Sequence, residues 1–294
     1  MARVKIDPEK ALAKARLMGR AYRRMGAAAV NVGGLDLLRG LDFLRQEASQ
    51  GLPLISANLL DFSSRSPIFD PYVIQKVSGI KIAFFGLLSP NFQPEIADAV
   101  QKTVGERIFI KDPVETARET VLKLRDKADM IVLLSDLGSY RDRELIKSVP
   151  SIHFVFGGHE GLGLAQPNRE GNTYMFQSYA KGMYVGRLSL VIKNPGLPFQ
   201  DKSRVSRLQE QTHNLDRHLQ ALRKQQATQP SQEVAQRIQW TQQQKAKLKE
   251  QLTQFSREQS QENHFLWTLM ALNPSLKEDE DTKGWIKETG IDQD

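Results

Sequence analysis

The segment from Val30 to Gly40 constrains the fold more than any other part of the chain. It reads Val-Asn-Val-Gly-Gly-Leu-Asp-Leu-Leu-Arg-Gly, an apolar run that ends in adjacent glycines. This pattern predicts a buried strand that opens into a tight turn, followed by an amphipathic helix that begins near Gly40. Loops at strand ends commonly carry functional residues, so this turn is the first candidate for a site.

Strand and helix patterns alternate over the first two thirds of the chain, which is typical of an α/β domain. A first helix is predicted after Asp7 and Pro8, a capping residue followed by proline at the first helical position. Asp136 and His159 follow directly on predicted strands, so we expect both side chains at one edge of the sheet if those strands are neighbours. The predicted strands are 52–59, 72–77, 81–88, 129–134 and 152–156, and the other predicted helices are 40–48, 112–127 and 141–148.

The chain changes character after Lys202, where glutamine and lysine become frequent and apolar residues recur at alternating steps of three and four. That spacing is the heptad seam of a coiled coil. The short connection around Pro230 ends the first helix, so the seams predict an antiparallel helical hairpin with arms of roughly 36 Å. The seam residues are Val205, Leu208, Thr212, Leu215, Leu219 and Leu222, then Val234, Ile238, Thr241, Lys245, Leu248, Leu252 and Phe255.

These patterns predict three parts in the chain. Residues 1–198 form the α/β domain, residues 199–260 the helical hairpin, and residues 261–294 an apolar segment followed by an acidic tail. With 294 residues and 40% hydrophobic content, the chain can bury one substantial core and still carry an extension.

Composition excludes several classes of site. Because the chain has no cysteine, it can form neither disulfides nor thiolate metal sites. No apolar run approaches the roughly 18 residues of a membrane span, and the first residues show no signal peptide. The net charge of +7 invites a nucleic-acid role, but no aromatic-rich strand, helix-turn-helix pattern or glycine-rich basic run accompanies it. A solvated helix face is the preferred explanation for the basic residues.

Several segments follow one another in a specific order. They are Val30–Gly40, Leu52–Leu59, Leu133–Gly138 and Phe156–Gly161, and a further stretch from Asn172 to Leu188 has the pattern of closing strands. In this order they resemble the motifs of the calcineurin-like metallophosphoesterases, and within that family the 5'-nucleotidase branch, over about residues 11–192. The resemblance implies a layered α/β fold with mixed sheets flanked by helices.

The same resemblance implies that most metal ligands are missing. The family's asparagine ligand corresponds to Gly34 and its proton-donating histidine to Leu35, and neither side chain can coordinate a metal or donate a proton. His159 matches a family histidine, while Asp136 replaces another and is a chemically possible ligand. Asp36 stands where the family has an acidic partner for its histidine, as a vestige of that pair. We therefore predict no catalytic residue, name His159 and Asp136 as candidate metal ligands, and leave the substrate-binding residues unknown.

Each candidate ligand also has a simpler interpretation, and both interpretations stay open. His159 follows two glycines and can be a loop residue bonded to a backbone carbonyl, while Asp136 can cap the turn before Gly138. The family's first two metal motifs, Asp-x-His and Gly-Asp, are expected on strands before this region and are not found. The sequence is therefore consistent with a fragment, with a degenerate relative, or with a protein completed by another chain.

Two functional hypotheses follow from the sequence. The first is a pseudoenzyme without a cofactor, a degenerate 5'-nucleotidase-like metallophosphoesterase that binds a protein partner or itself through the 203–258 hairpin. The second is a metal-dependent phosphohydrolase acting on nucleotides or other phosphate monoesters with Mn or Zn, whose missing ligands come from an upstream segment or a partner chain. The resemblance further implies a bacterial protein in an exported or periplasmic location.

Overall fold

The protein is described by a computed structural model over residues 8–92, 94–161, 163–256 and 263–290. The predicted helix cap at Asp7 and the last two residues of the 203–258 hairpin lie outside these ranges. The helices are α1 (Pro8–Arg24), α2 (Leu41–Ser49), α3 (Pro94–Thr103), α4 (Pro113–Leu124), α5 (Ser139–Ser148), α6 (Ser203–Thr228), α7 (Gln232–Ser256) and α8 (Glu280–Thr289). The strands are β1 (Val30–Asn31), β2 (Leu54–Ile55), β3 (Leu59–Asp61), β4 (Tyr72–Val77), β5 (Ile80–Leu88), β6 (Ile108–Ile110), β7 (Met130–Asp136), β8 (Phe154–Gly157), β9 (Asn168–Glu170), β10 (Thr173–Gln177), β11 (Tyr184–Val191), β12 (Phe199–Asp201) and β13 (Asn263–Ala271).

A six-stranded mixed sheet with the strand order β4-β5-β7-β8-β10-β9 organises the first part of the chain. Its inner strands β5, β7, β8 and β10 run parallel, and the edge strands β4 and β9 are antiparallel to their neighbours. This arrangement confirms the predicted α/β fold with mixed sheets flanked by helices. Because parallel strands end at the same edge, the residues that follow β5, β7, β8 and β10 come together there.

Buried apolar side chains form two clusters around this sheet. In the first cluster α4 and α5 cover the inner strands, and in the second α2 and α3 close over β1 and β2. The first cluster includes Phe85, Leu87, Ala117, Val121, Leu124, Ile131, Leu133, Leu145, Ile146 and Val155. The second includes Val32, Leu37, Leu41, Leu44, Leu54, Leu59, Leu88, Val100 and Val104.

The prediction of one strand over 52–59 is wrong, because two short strands, β2 and β3, occupy this stretch. β2 pairs with β1 and β3 pairs with β6, so the chain crosses from one small sheet to another between them. At the crossing, the backbone N–H groups of Ser56 and Ala57 donate to the carbonyl oxygens of Asp70 and Gly86 instead of extending the ladder. These competing backbone partners split the apolar run.

Two compact units make up the chain, and the second extends from Gly186 to Met270. It contains α6, α7 and a three-stranded sheet in the order β11-β13-β12. α6 and α7 contact each other, and Asp216 pairs with Lys245 at similar sequence distances from the Gln229–Ser231 connection, as an antiparallel hairpin requires. The helical hairpin is confirmed, whereas a supercoiled packing of its seam stays a prediction. The side chain of Phe255 lies outside the described part of the structure.

The acidic segment near the end of the chain begins α8, which belongs to the first unit together with α1. Asp279 caps α8 by accepting a hydrogen bond from the Thr282 N–H at 2.9 Å, and it also pairs with Arg24. The Arg20 guanidinium lies 3.7 Å from the centre of the Trp285 ring. These arginines of α1 therefore have partners within the chain. None of the helices in the described ranges is long and apolar enough to cross a membrane.

Candidate functional site at the strand ends

The carboxyl edge of the parallel strands brings together the residues that the sequence singled out. The Asn31 side-chain amide donates to the Leu87 carbonyl at 2.9 Å and so links β1 to β5. The Gly33–Gly34 turn follows β1 and therefore lies at this edge. Asp136 ends β7, and His159 follows the neighbouring strand β8 by two residues. The expectation that Asp136 and His159 share one edge of the sheet is confirmed.

Asp136 is the centre of this group. Its Oδ1 lies 3.2 Å from His159 Nδ1, and its Oδ2 accepts a hydrogen bond from the Gly34 N–H at 3.0 Å. A carboxylate only accepts hydrogen bonds, and the His159 ring can donate one to it from Nδ1. Both carboxylate oxygens therefore have partners from other segments of the chain.

Asp36 follows the Gly33–Gly34 turn and opens a short 3-10 helix. Its Oδ2 accepts a hydrogen bond from the Gly33 N–H at 2.8 Å, a bond within the turn that stabilises its conformation. The residue as a whole is exposed, but its carboxylate lies among protein atoms. This burial raises the pKa of Asp36, the Gly33 N–H works in the opposite direction, and the like charge of Asp136 raises it further. Its assignment as a vestigial catalytic position stays a prediction.

Glu160 occupies the amino-terminal end of α5. Its Oε1 accepts from the N–H and the hydroxyl of Ser139, at 3.0 and 2.9 Å. Burial raises the pKa of Glu160, but these hydrogen bonds and one from Gln177 outweigh burial, and the net effect lowers the pKa. Glu160 was not predicted as a site residue, because it lies 21 residues after Ser139 and no local pattern links it to the start of α5.

Asp142 lies beneath the edge and is only 2% exposed. The Ser135 hydroxyl donates to its Oδ1 at 2.5 Å and accepts the Leu137 N–H at 3.1 Å. Burial raises the pKa of Asp142 to about 7, against the hydrogen bond from Ser135 and with a further contribution from the Glu160 charge. Asp142 was not predicted from the sequence either, because a charged residue in an amphipathic helix is normally exposed.

Packing closes the position of Gly34, where the resemblance implies the family's asparagine. A Cβ atom on Gly34 would lie 2.7 Å from Cε1 of Phe92, closer than real Cβ atoms approach a neighbour. The next residue, Leu35, is 64% exposed and supplies no donor atom. A larger side chain at position 34 therefore requires the Phe92 ring to move.

Arg141 brings a positive charge to the same edge. Its Nη1 lies 3.5 Å from the Ser89 hydroxyl. When the oxygen and nitrogen of the Asn91 amide are exchanged, the Asn91 oxygen accepts hydrogen bonds from the Arg141 guanidinium. Ser89 and Asn91 follow β5. His153, which precedes β8, accepts the Ile131 N–H at 3.1 Å, and burial lowers its pKa, so it has a structural role.

These side chains do not fit the metal pair that the resemblance implies. Two metal ions about 3.5–4 Å apart need a shared shell of several oxygen and nitrogen ligands. Within the described ranges, no group of three or more histidine, aspartate or glutamate residues is arranged to hold a metal ion. His159 Nδ1 and both Asp136 oxygens are already engaged with protein groups. A metal-ligand role for His159 and Asp136 stays a prediction.

Comparisons with known proteins identify relatives of this chain. No family model matches it. The 5'-nucleotidase of Vibrio cholerae serotype O1 is 26% identical over 223 residues, and the match covers 64% of this chain and 39% of that protein. The trifunctional nucleotide phosphoesterase protein YfkN of Bacillus subtilis is 31% identical over 148 residues, which are 49% of this chain and 10% of YfkN. The chain thus spans about two fifths of the first relative and a tenth of the second.

The same family appears among solved structures. The crystal structure of the calcineurin-like phosphoesterase YfkN from Bacillus subtilis matches with a TM-score of 0.60 at 15% identity, over 97% of this chain and 77% of that one. At this identity the match establishes the fold alone. The sequence relatives and the fold together confirm the resemblance: this chain is similar in sequence to 5'-nucleotidases and shares the fold of a calcineurin-like phosphoesterase.

Proposed function

We propose that this chain is a metallophosphoesterase homologue that does not hydrolyse phosphate esters by itself and acts by binding a partner through the hairpin of α6 and α7. The observation that carries the proposal is the composition of the group of side chains at the carboxyl edge of the strands. This strand-end cluster consists of Asp36, Phe92, Asp136, Arg141, Asp142, His159 and Glu160. Gly34 and Leu35 supply no metal donor, and Phe92 fills the space beside Gly34. No cofactor is part of this proposal.

The charge of the cluster supports the same proposal. Phosphate monoesters carry close to two negative charges at neutral pH, and hydrolases of this kind stabilise them with metal ions. Here the edge carries the carboxylates of Asp36, Asp136 and Glu160, and Arg141 brings a cation to it. Without metal ions this arrangement repels a phosphate dianion.

The hairpin offers a contrasting surface. Between residues 203 and 256 there are nine basic and four acidic residues, so the hairpin carries +5 of the net charge of +7. Trp240 on α7 is 60% exposed. In the described ranges no ion pair is found for the exposed basic residues Arg217, Arg223, Lys224, Arg237, Lys247 and Lys249. Like charges disfavour self-association, so the proposed partner is an acidic protein surface.

The first test measures metal and turnover in one preparation. After incubation with Mn or Zn, we expect no stoichiometric metal by elemental analysis and no hydrolysis of an aryl phosphate or a nucleoside 5'-monophosphate above background. His159→Ala should leave both readouts unchanged. The matched control is His213→Ala, which removes an exposed histidine of α6. Turnover that His159→Ala abolishes and His213→Ala preserves would contradict the proposal.

The second test addresses the hairpin with poly-glutamate as an acidic probe. We expect salt-sensitive binding that the double substitution Arg237→Glu/Lys247→Glu weakens at least tenfold, because it reverses two exposed charges on the same helix as Trp240. The matched control, Lys102→Glu/Lys123→Glu, makes the same change in net charge at exposed positions of α3 and α4. Equal weakening by both pairs would show that net charge alone binds the probe and would count against a hairpin site.

A metal-dependent phosphohydrolase acting on nucleotides or other phosphate monoesters is the second candidate function. It is supported by the juxtaposition of His159 and Asp136 and by relatives that are named as nucleotidases. In this case Mn or Zn is the expected metal, and ligands from outside the described residues complete the shell. The turnover test above separates the two candidates. An exported or periplasmic location, which the resemblance implies, stays a prediction for both.

A further inference from the structure

We propose that direct contacts of Asp136, His159 and Phe92 hold the strand ends together without metal, at the place where the resemblance implies metal ions. We call these three residues the lock. In the family that this chain resembles, the corresponding strand ends carry metal ligands. Here the same segments contact one another directly. This inference concerns the stability of the first unit and does not depend on the proposed binding function.

Asp136 joins segments that are far apart in the sequence. Through Gly34 it reaches the turn after β1, 102 residues away, and through His159 the loop after β8, 23 residues away. Its side chain is 19% exposed, so water competes only partly for these bonds. Hydrogen bonds to an ionised carboxylate are stronger than those between neutral groups, which makes one aspartate an effective tie between these two segments and β7.

Phe92 completes the lock at the Gly34 turn, where a Cβ on Gly34 would meet both the Phe92 ring and Asp136 Oδ2. The Phe92 ring packs against the second apolar cluster, and its Cε1 lies 2.7 Å from the place that a Cβ at position 34 would take. The Gly33 position differs, because a Cβ there would meet Asp136 Cγ at 3.5 Å, an ordinary contact distance. The tight space is therefore specific to position 34, where the resemblance implies the family's asparagine ligand.

The first experiment compares thermal unfolding of the full chain in EDTA and in Mn or Zn. We expect the melting temperature of the wild type to be the same in all three conditions. Asp136→Ala is expected to lower the melting temperature by roughly 5–10 °C in EDTA. The matched control Asp126→Ala removes a carboxylate that is 83% exposed, and it should leave the melting temperature unchanged. If Asp136→Ala does not fold, His159→Gln provides the milder test and should lower the melting temperature by a few degrees.

The second experiment tests the Phe92 packing by a double-mutant cycle. Gly34→Asn is expected to lower the melting temperature, because the new side chain meets the Phe92 ring. In Gly34→Asn/Phe92→Ala the loss should be smaller than the sum of the two single losses, since removal of the ring makes the required space. Additive losses would overturn the role of Phe92.

Two outcomes of the thermal experiment would overturn the role of Asp136. One is a melting temperature that Asp136→Ala or His159→Gln leaves unchanged. The other is a wild-type melting temperature that Mn or Zn raises by several degrees and Asp136→Ala makes insensitive to metal, because the residue would then be a metal ligand. Neither outcome involves turnover, so failure of the lock can be distinguished from failure of the proposed function.

Discussion

Replacement of Asn58 by alanine is expected to lower the free energy of unfolding by roughly 3–5 kcal/mol. Asn58 is fully buried between β2, β3 and the end of β5. Its Nδ2 donates to the carbonyls of Leu88 and Lys111 at 2.8 and 3.2 Å, and its Oδ1 accepts the Leu88 N–H at 2.8 Å. Alanine leaves these backbone groups buried without a partner. Urea unfolding followed by circular dichroism measures the loss.

The matched control for this prediction is Asn172→Ala. Asn172 is exposed, and its side chain accepts a long hydrogen bond of 3.5 Å from Arg169. We expect its substitution to change the free energy of unfolding by less than about 0.5 kcal/mol. A loss for Asn58→Ala as small as that of the control would show that the two backbone segments keep their hydrogen bonds without the amide.

Asp142→Asn is expected to stabilise the protein at high pH and to have little effect at low pH. Burial raises the pKa of Asp142 from 3.8 to about 7 in the folded protein. A raised pKa means that the folded state holds the proton more tightly, so the contribution to stability is complete below 3.8 and is lost as the pH rises through about 7. The difference between these two pKa values corresponds to a loss of at most about 4 kcal/mol in the free energy of unfolding. The uncharged asparagine side chain does not incur this loss.

Unfolding free energies at pH 5 and pH 8 check this prediction. The gain from Asp142→Asn should be roughly 2–4 kcal/mol larger at pH 8 than at pH 5. An amide oxygen can still accept the Ser135 hydroxyl, so the local hydrogen bond is kept. Asp98→Asn removes an exposed carboxylate of α3 and should show no such difference between the two pH values. A gain that is independent of pH would indicate better packing of the amide instead of a titrating carboxyl.

Local sequence patterns predicted most of the regular elements because their causes lie within a few residues. The helix predicted over 112–127 is present and begins with a cap at Asp112, whose Oδ1 accepts the Glu115 N–H at 2.8 Å. The strands predicted over 72–77 and 81–88 are also present as an antiparallel pair, and Ser78 and Gly79 between them have positive φ angles. The heptad steps predicted α6 and α7, and Leu208, Leu219, Leu222 and Val234 are buried there as expected.

The composition of the strand-end cluster was harder to predict. The sequence named Asp136, His159 and Asp36, because they follow strands or occupy motif positions. It gave no indication of Phe92, Asp142 or Arg141, which carry no motif and reach the edge only through the packing of α5 and of the segment before α3. Glu160 lies within the Phe156–Gly161 motif, but its contact with Ser139 at the start of α5 is tertiary. The split of the 52–59 stretch had the same origin, since its competing partners Asp70 and Gly86 are distant in sequence.

The amino-acid sequence by itself determined the α/β class, the helical hairpin, and the absence of asparagine and histidine at Gly34 and Leu35. These properties depend on residue identity and on periodicities of two and of three to four residues, which are local. Only the tertiary structure decided that Asp136 bonds both to Gly34 and to His159, and that Phe92 closes the space beside Gly34. Such contacts join residues that the chain separates by tens of positions, and packing within a few tenths of an ångström determines whether they form.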